Sequence, residues 1–331
     1  MENKGFVGKV VGGVIAIYLL VTIGLGIFWS DEPDLWDVKS AVEVDLAATG
    51  KEKVPGFATT STLIRLANQL LDKPGGYLTN DITPPGIWLD NVPNWEYGVL
   101  VQVRDLTRSL RKDIARSQST SMENADLAIA EPQFNFDSSS FWFPSTESEY
   151  RRGIQYLTKS QSSLLSREGN SAQFFARADN LRNWLADVET RLGSLSQRLS
   201  ASVGKDQLNL DLPGDASDRL SATMPVEMRV KTGFLELDDV FYEARGASYA
   251  LVHLLYAIEI DFRDVLVKKN ALVSVQQIIR ELEASQQPVM SPMILNGSGF
   301  GMLANHSLVM ANYISRANAA IIDLRRLLEQ G

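Results

Sequence analysis

LRNWLADVETRLGSLSQRL, residues 181–199, carries an apolar side chain at alternating steps of four and three: Leu181, Leu185, Val188, Leu192, Leu195 and Leu199. That spacing is a helical seam and cannot be a strand, whose faces alternate every second residue. It predicts a helix over 171–199. One apolar stripe on a helix has to be covered, either by other helices of a bundle or by a second copy of the chain. The seam is therefore both a bundle element and a candidate dimer surface.

The same reading extends in both directions. Leu63, Ile64, Leu66, Leu70 and Leu71 predict a helix over 59–71, stopped by Lys73-Pro74-Gly75-Gly76. Val99, Val103, Leu106, Leu110 and Ile114 predict one over about 94–119. Thr146 with Glu149 three residues on has the form of a capping box, opening a helix to about residue 167. Further helices are expected over 233–267, 270–284 and 302–328. Between 207 and 230 the period changes to two: Leu208, Leu210 and Leu212, then Met224, Val226, Met228 and Val230, with Pro213-Gly214 between. That predicts a small β-hairpin. The fold class is mainly α: an elongated bundle of six or seven helices with a minor hairpin.

Residues 10–29 are uncharged and mostly apolar. At about 1.5 Å per residue such a run crosses a hydrocarbon core of about 30 Å. Lys4 and Lys9 precede it, and Asp31, Glu32, Asp34 and Asp37 follow. Basic flanks stay cytoplasmic, so residues 1–9 are expected inside and the remainder outside. A cleaved signal peptide would end in small residues. Here the exit reads Ile27-Phe28-Trp29-Ser30, which argues for an uncleaved anchor. Gly8, Gly12 and Ala16 recur every four positions, a spacing that lets two spans pack closely. Residues 30–57 show weak periodicity and read as a stalk leading to a helical domain over 58–331.

Composition excludes several classes. There is no cysteine, so there are no disulfides, thiolate metal sites or cysteine nucleophiles. Outside Glu2, Lys4 and Lys9 the chain has 30 basic and 39 acidic residues. That surplus disfavours nucleic acid and broad adhesion to anionic lipid. Of the two histidines, His253 lies in the apolar run YALVHLLYAIEI and reads as a buried histidine with a local partner. His306 reads as a surface or capping residue. Gly297-Ser298-Gly299-Phe300-Gly301 lacks the preceding strand and lysine of a phosphate loop, and reads as a hinge.

Glu236, Asp239 and Glu243 would share one helix face, where carboxylates could serve glycoside cleavage or simply offset the helix dipole. The segment 73–95 is rich in Pro, Gly, Asn and Asp yet holds Tyr77, Trp88 and Trp95. It is expected to pack down, with sugar stacking as a minor alternative. Phe134, Phe136, Phe141, Trp142 and Phe143 lie between Pro132 and Pro144; they read first as a loop closing over the bundle core and otherwise as the candidate partner-binding cluster. No cofactor or metal is expected.

Three segments, 73–105 (KPGGYLTNDITPPGIWLDNVPNWEYGVLVQVRD), 116–137 (RSQSTSMENADLAIAEPQFNFD) and 144–153 (PSTESEYRRG), resemble an uncharacterised, domain-of-unknown-function family of proteobacterial single-pass inner-membrane proteins. The resemblance implies a Gram-negative inner-membrane location, agrees with the orientation read from the flanking charges, and supplies no catalytic residue. The resulting expectation is a non-enzymatic scaffold or accessory subunit of an envelope machine. Its expected partners are the inner membrane, envelope proteins and a second copy of itself. A peptidoglycan or ligand binder is the alternative, and a carboxylate-dependent cell-wall hydrolase a weaker one.

Overall fold

The computed structural model describes residues 2–117, 123–166, 173–208, 227–291, 293–297 and 302–330. It is mainly helical. The apolar run lies in α1 (Glu2–Trp29), followed by α2 (Val38–Thr49), α3 (Phe57–Asp72) and α4 (Asn91–Ser109). Then come α5 (Ala125–Phe134), α6 (Thr146–Ser166), α7 (Ala178–Ser200), α8 (Leu237–Asp261), α9 (Arg263–Lys268), α10 (Leu272–Ala284) and α11 (His306–Glu329).

The leucine seam of α7 closes inside the chain. Leu181, Leu185, Val188, Leu192, Leu195 and Leu199 are all buried, and α7 packs along α11, whose Ile314, Ala317, Ile321 and Leu324 form the facing stripe. The seam is therefore not a free dimer surface: the C-terminal helix supplies the cover that a second copy would have given.

At the centre α4 crosses α8 at backbone contact. A Cβ on Gly98 would fall 2.1 Å from the Glu243 carbonyl oxygen, and one on Gly246 would fall 2.0 Å from that of Trp95. Two glycines, one per helix, let the axes approach more closely than any side chain permits. Trp95, Val99, Val103 and Leu106 of α4 and Leu251, Leu254, Leu255 and Ile258 of α8 belong to the core around this crossing.

Several expected boundaries move. The helix expected from 171 begins at Ala178, and residues 173–177 are irregular. The helix expected to about 119 ends as α-helix at Ser109 and closes with a π turn, Leu110–Ile114. The long helix over 233–267 breaks at buried Phe262 into α8 and α9. α5 is unforeseen because Pro132 sits inside it; its start is fixed by Asn124, whose side chain accepts from the Asp126 and Leu127 amides at 3.0 Å.

The capping box is not made. Ser145 accepts the Ser148 amide at 3.4 Å, while the Thr146 hydroxyl donates to the Asp137 carbonyl at 2.8 Å. α2 stands in the expected stalk, capped by Asp37 and closed by Gly50 in the left-handed region (φ 63°). Val38 and Val42 are buried with Phe57, Ala58 and Ala257, so this segment docks on the body.

Lys205–Leu208 pairs antiparallel with Glu227–Val230. The expected turn at Pro213-Gly214, with Leu210, Leu212, Met224 and Val226, lies outside the described residues. This four-residue ladder does not by itself establish the hairpin.

Candidate functional site at the exit of the apolar helix

Residues 31–37 leave α1 without regular secondary structure and run along one stripe of α8, spaced as an extended chain is. Glu32, Asp34 and Trp36 alternate along the extended chain; Arg245, Tyr249 and His253 recur every four residues on the helix. Two extended residues advance about 6.6 Å and four helical residues about 6 Å, so the two repeats stay in step. The result is a three-rung strap.

In the first rung Arg245 Nε donates to Glu32 Oε2 at 2.8 Å and Nη2 lies 2.6 Å from the same carboxylate, with both side chains largely buried. Arg245 Nη1 also donates to the Gln287 carbonyl at 3.0 Å, which holds the 285–287 turn. In the second rung the Tyr249 hydroxyl lies 3.1 Å from the Asp34 carbonyl and 2.9 Å from Gln69 Oε1. Burial pushes this phenol above its ordinary range.

In the third rung the Trp36 amide donates to His253 Nε2 at 3.2 Å, and the rings stack at 4.3 Å with a 25° interplanar angle. His253 Nδ1 lies 2.7 Å from the Tyr249 carbonyl, so the ring is neutral with its proton on Nδ1. Burial holds this imidazole down at about 4. The expected buried histidine is found, with its local partner in the Tyr249 carbonyl and a second, distant one in the chain just outside α1. Beside the strap opens a cleft of about 740 Å³ lined by Asp31, Glu32, Asp34, Tyr242, Arg245 and Glu283.

A second set of contacts fastens α1 to the 73–95 segment. The Trp29 ring lies 2.9 Å from where a Cβ on Gly75 would be, and Gly75 has φ 87°. Pro85 Cβ is 3.5 Å from the Cβ position of Gly26. The segment itself is organised by Glu96, which is fully buried. It pairs with buried Lys73 and accepts the Leu78 and Thr79 amides, each at 2.9 Å. Burial pushes the Glu96 carboxyl up, and Lys73 opposes that shift. The expected packing of this segment is thus an ionic anchor under a loop. Tyr77 and Trp95 are buried, the Asn80 side-chain nitrogen is held by Ser140 and Glu147, and Trp88 is exposed, so the sugar-stacking set is not brought together.

The five-aromatic cluster splits. Phe134 is 1 % exposed and belongs to the core, against Tyr150. Phe136 is half-buried on that core, its carbonyl held by Arg104 Nη2 at 3.0 Å. Phe141, Trp142 and Phe143 stand exposed. Phe134 is therefore no part of a partner surface, since α5 turns it inward, and Phe136 lies half-covered beside it.

The acids at the start of α8 part company too. Glu236 faces solvent, Asp239 accepts from Asn94 at 2.6 Å, and Glu243 is held by both Nη atoms of Arg198. Facing carboxylates for hydrolysis are not assembled from them. Among the described residues no group of three or more His, Asp or Glu is placed to hold a metal ion. His306 opens α11, and its Nδ1 accepts the Leu295 amide at 2.8 Å. Residues 298–301 of the glycine-rich hinge lie outside the described residues. Gly8, Gly12 and Ala16 lie exposed on α1, with nothing within 4 Å of a Cβ at either glycine.

The three-rung strap was not anticipated. Two signals for it exist in the sequence: the Glu-x-Asp-x-Trp alternation at 32–36, and Arg, Tyr and His at four-residue steps in an otherwise apolar helix.

The molecule is of the class of helical bundles carried behind one N-terminal helix, Phe6–Trp29, that is long and apolar enough to cross a membrane or act as a signal sequence. The chain belongs to DUF2333, described as an uncharacterized protein conserved in bacteria, whose family model covers residues 1–331. Comparison with curated proteins and with solved structures returned no match.

Proposed function

We propose that this is a single-pass inner-membrane protein, with residues 1–9 cytoplasmic and the body periplasmic, acting as a non-enzymatic scaffold or accessory subunit of an envelope machine. The observation that carries this reading is the strap. A catalytic or ligand-binding module on a tether needs no fixed attitude to the membrane, and a flexible stalk would serve it. Here every second residue after α1 is bolted to α8, and Trp29 is seated on Gly75. Fixed orientation suits a part that holds other components at a set height above the bilayer.

The surface offered to a protein partner is an apolar groove of about 350 Å³ beside the strap, lined by Phe241, Val289, Met290, Val309, Met310 and Tyr313. Met290 and Val309 project from it, and thioethers adapt to varied apolar partners. The groove adjoins Arg245 of the first rung, so its occupant is an apolar segment of an envelope protein held close to the membrane. The Gly8–Gly12–Ala16 face of α1 suits a second copy of the span.

The test is a photo-crosslinking residue at Val309, irradiated in intact cells, with Gln197 of α7 as the exposed reference site. The reading expects a discrete adduct from Val309 that is absent from Gln197 and lost with Met310→Glu. It also expects a C-terminal alkaline phosphatase fusion to be active. An active fluorescent-protein fusion with a silent phosphatase, or identical adduct patterns at both sites, would sink it.

A further inference from the structure

We propose that two apolar loops, residues 82–88 and 141–143, sit in the outer headgroup layer of the bilayer that α1 crosses, so that the body lies on the membrane instead of standing off it. This rests on the reading of α1 as a membrane span.

The first observation is chemical. Ile82 and Ile87 are each 57 % exposed and Trp88 is 55 % exposed. Trp142 and Phe143 are 71 % and 92 % exposed, beside Phe141. Neither 82–88 nor 141–143 contains a charge. Exposed apolar side chains in contiguous groups mark a surface that is covered in use. Tryptophan and phenylalanine are the residues that favour the boundary between headgroups and acyl chains.

The second observation is positional, and it selects lipid as the cover. Pro85 lies against Gly26, three residues before the end of α1. At about 1.5 Å per residue that is about 4.5 Å inside the helix terminus. Whatever surrounds the last turn of α1 therefore surrounds the 82–88 loop. A loop at that depth with outward-facing Ile87 and Trp88 meets lipid before it meets any soluble partner.

The third observation joins the loops. Asn80 Nδ2 donates to the Ser140 carbonyl at 2.9 Å and lies 3.0 Å from Glu147 Oε2. The aromatic triplet thus begins one residue from a point fixed to the start of the first loop. The Thr146 amide also donates to the Ser140 carbonyl, at 3.0 Å, which ties that point to the start of α6. Both tips are rigid projections on a frame held by Glu96 and α6. The charge balance agrees: Asp81 and Asp90 flank the first loop and the chain carries a net charge of −8. Recognition therefore runs through apolar area and not through anionic headgroups.

The chain has no cysteine, so single labels can be placed without background. The full chain is reconstituted in phosphatidylcholine nanodiscs with a nitroxide at one of four sites: Trp88→Cys, Phe143→Cys, Leu20→Cys within the span, or Gln197→Cys on α7. Collision with oxygen and with a water-soluble nickel chelate then reports depth. The proposal expects labels at 88 and 143 to fall between the two reference sites, with nickel collision several-fold below that at 197 and above that at Leu20, as the headgroup layer lies between water and the hydrocarbon core. If the Leu20 label is in lipid while either loop label matches 197, the two-loop platform is wrong and the span stands. If the Leu20 label itself matches 197, the membrane reading fails and takes this proposal with it.

Discussion

The imidazole of His253, in the middle of α8, is stacked on Trp36 and accepts that residue's backbone amide at 3.2 Å, across 217 positions of sequence. A helix buried at the centre of the bundle thereby reads out the position of the chain just beyond α1. Four consequences of this arrangement and its neighbours can be measured.

The His253 ring is neutral in the fold and held down at about 4, against 6.5 in an open chain. As pH falls, the unfolded chain takes the proton first, so stability is full above about 6.5 and drops as pH falls towards 4. Once both states are protonated the loss amounts to about 3 kcal/mol. Protonated Nε2 also cannot accept from Trp36, so the third rung opens. Urea unfolding of the native chain and of His253→Gln across this range checks it: the difference between them should shrink as pH falls. A pH-independent difference would place the acid sensitivity elsewhere.

Arg245 and Glu32 form the first rung, with side chains 9 % and 16 % exposed. Removing one partner leaves a poorly hydrated charge. A double-mutant cycle with Arg245→Met and Glu32→Gln should return a favourable coupling of about 0.5–3 kcal/mol. Hydrogen exchange at 31–36 should accelerate in both single variants while exchange in α7 does not. Unchanged exchange at 31–36 would mean that the other two rungs hold the strap unaided.

Lys73 and Glu96 pair at 2 % and 0 % side-chain exposure. Lys73→Met strands a buried carboxylate and should cost about 3–5 kcal/mol, whereas the paired replacement Lys73→Met with Glu96→Leu should recover much of that. The recovery will be incomplete, because Glu96 also receives the Leu78 and Thr79 amides. Thermal melts of the three variants, with limited proteolysis at 75–90, report both effects.

Gly246 faces the Trp95 carbonyl with no room for a methyl group, and Gly98 faces the Glu243 carbonyl in the same way. The neighbours are backbone, which cannot swing aside. Gly246→Ala should therefore destabilise by at least the about 1–3 kcal/mol typical of overpacking. Gly193→Ala is the control, since the nearest atom to its Cβ position is Asn318 Nδ2 at 3.6 Å. It should be neutral or slightly stabilising through helix propensity.

Local chemistry in the sequence was enough to find the apolar N-terminal helix, the helical class and the seven long helices of the body. Apolar residues at steps of three and four report a buried stripe wherever the partner happens to be, as they do from Leu181 to Leu199. What covers that stripe is a long-range fact. α11 closes the α7 seam because the chain returns there more than a hundred residues later, and no local pattern encodes that return. The aromatics from Phe134 to Phe143 look like one cluster in sequence. Yet α5, whose Pro132 disguises it, turns the first of them into the core and leaves the last three outside. The strap needed both partners to be visible: Glu32, Asp34 and Trp36 make an unremarkable acidic linker until Arg245, Tyr249 and His253 lie beside them. Periodicity is a property of one segment and so is written in it. Which segments meet depends on the sum of many weak contacts over the whole chain, and only the tertiary structure carries out that sum.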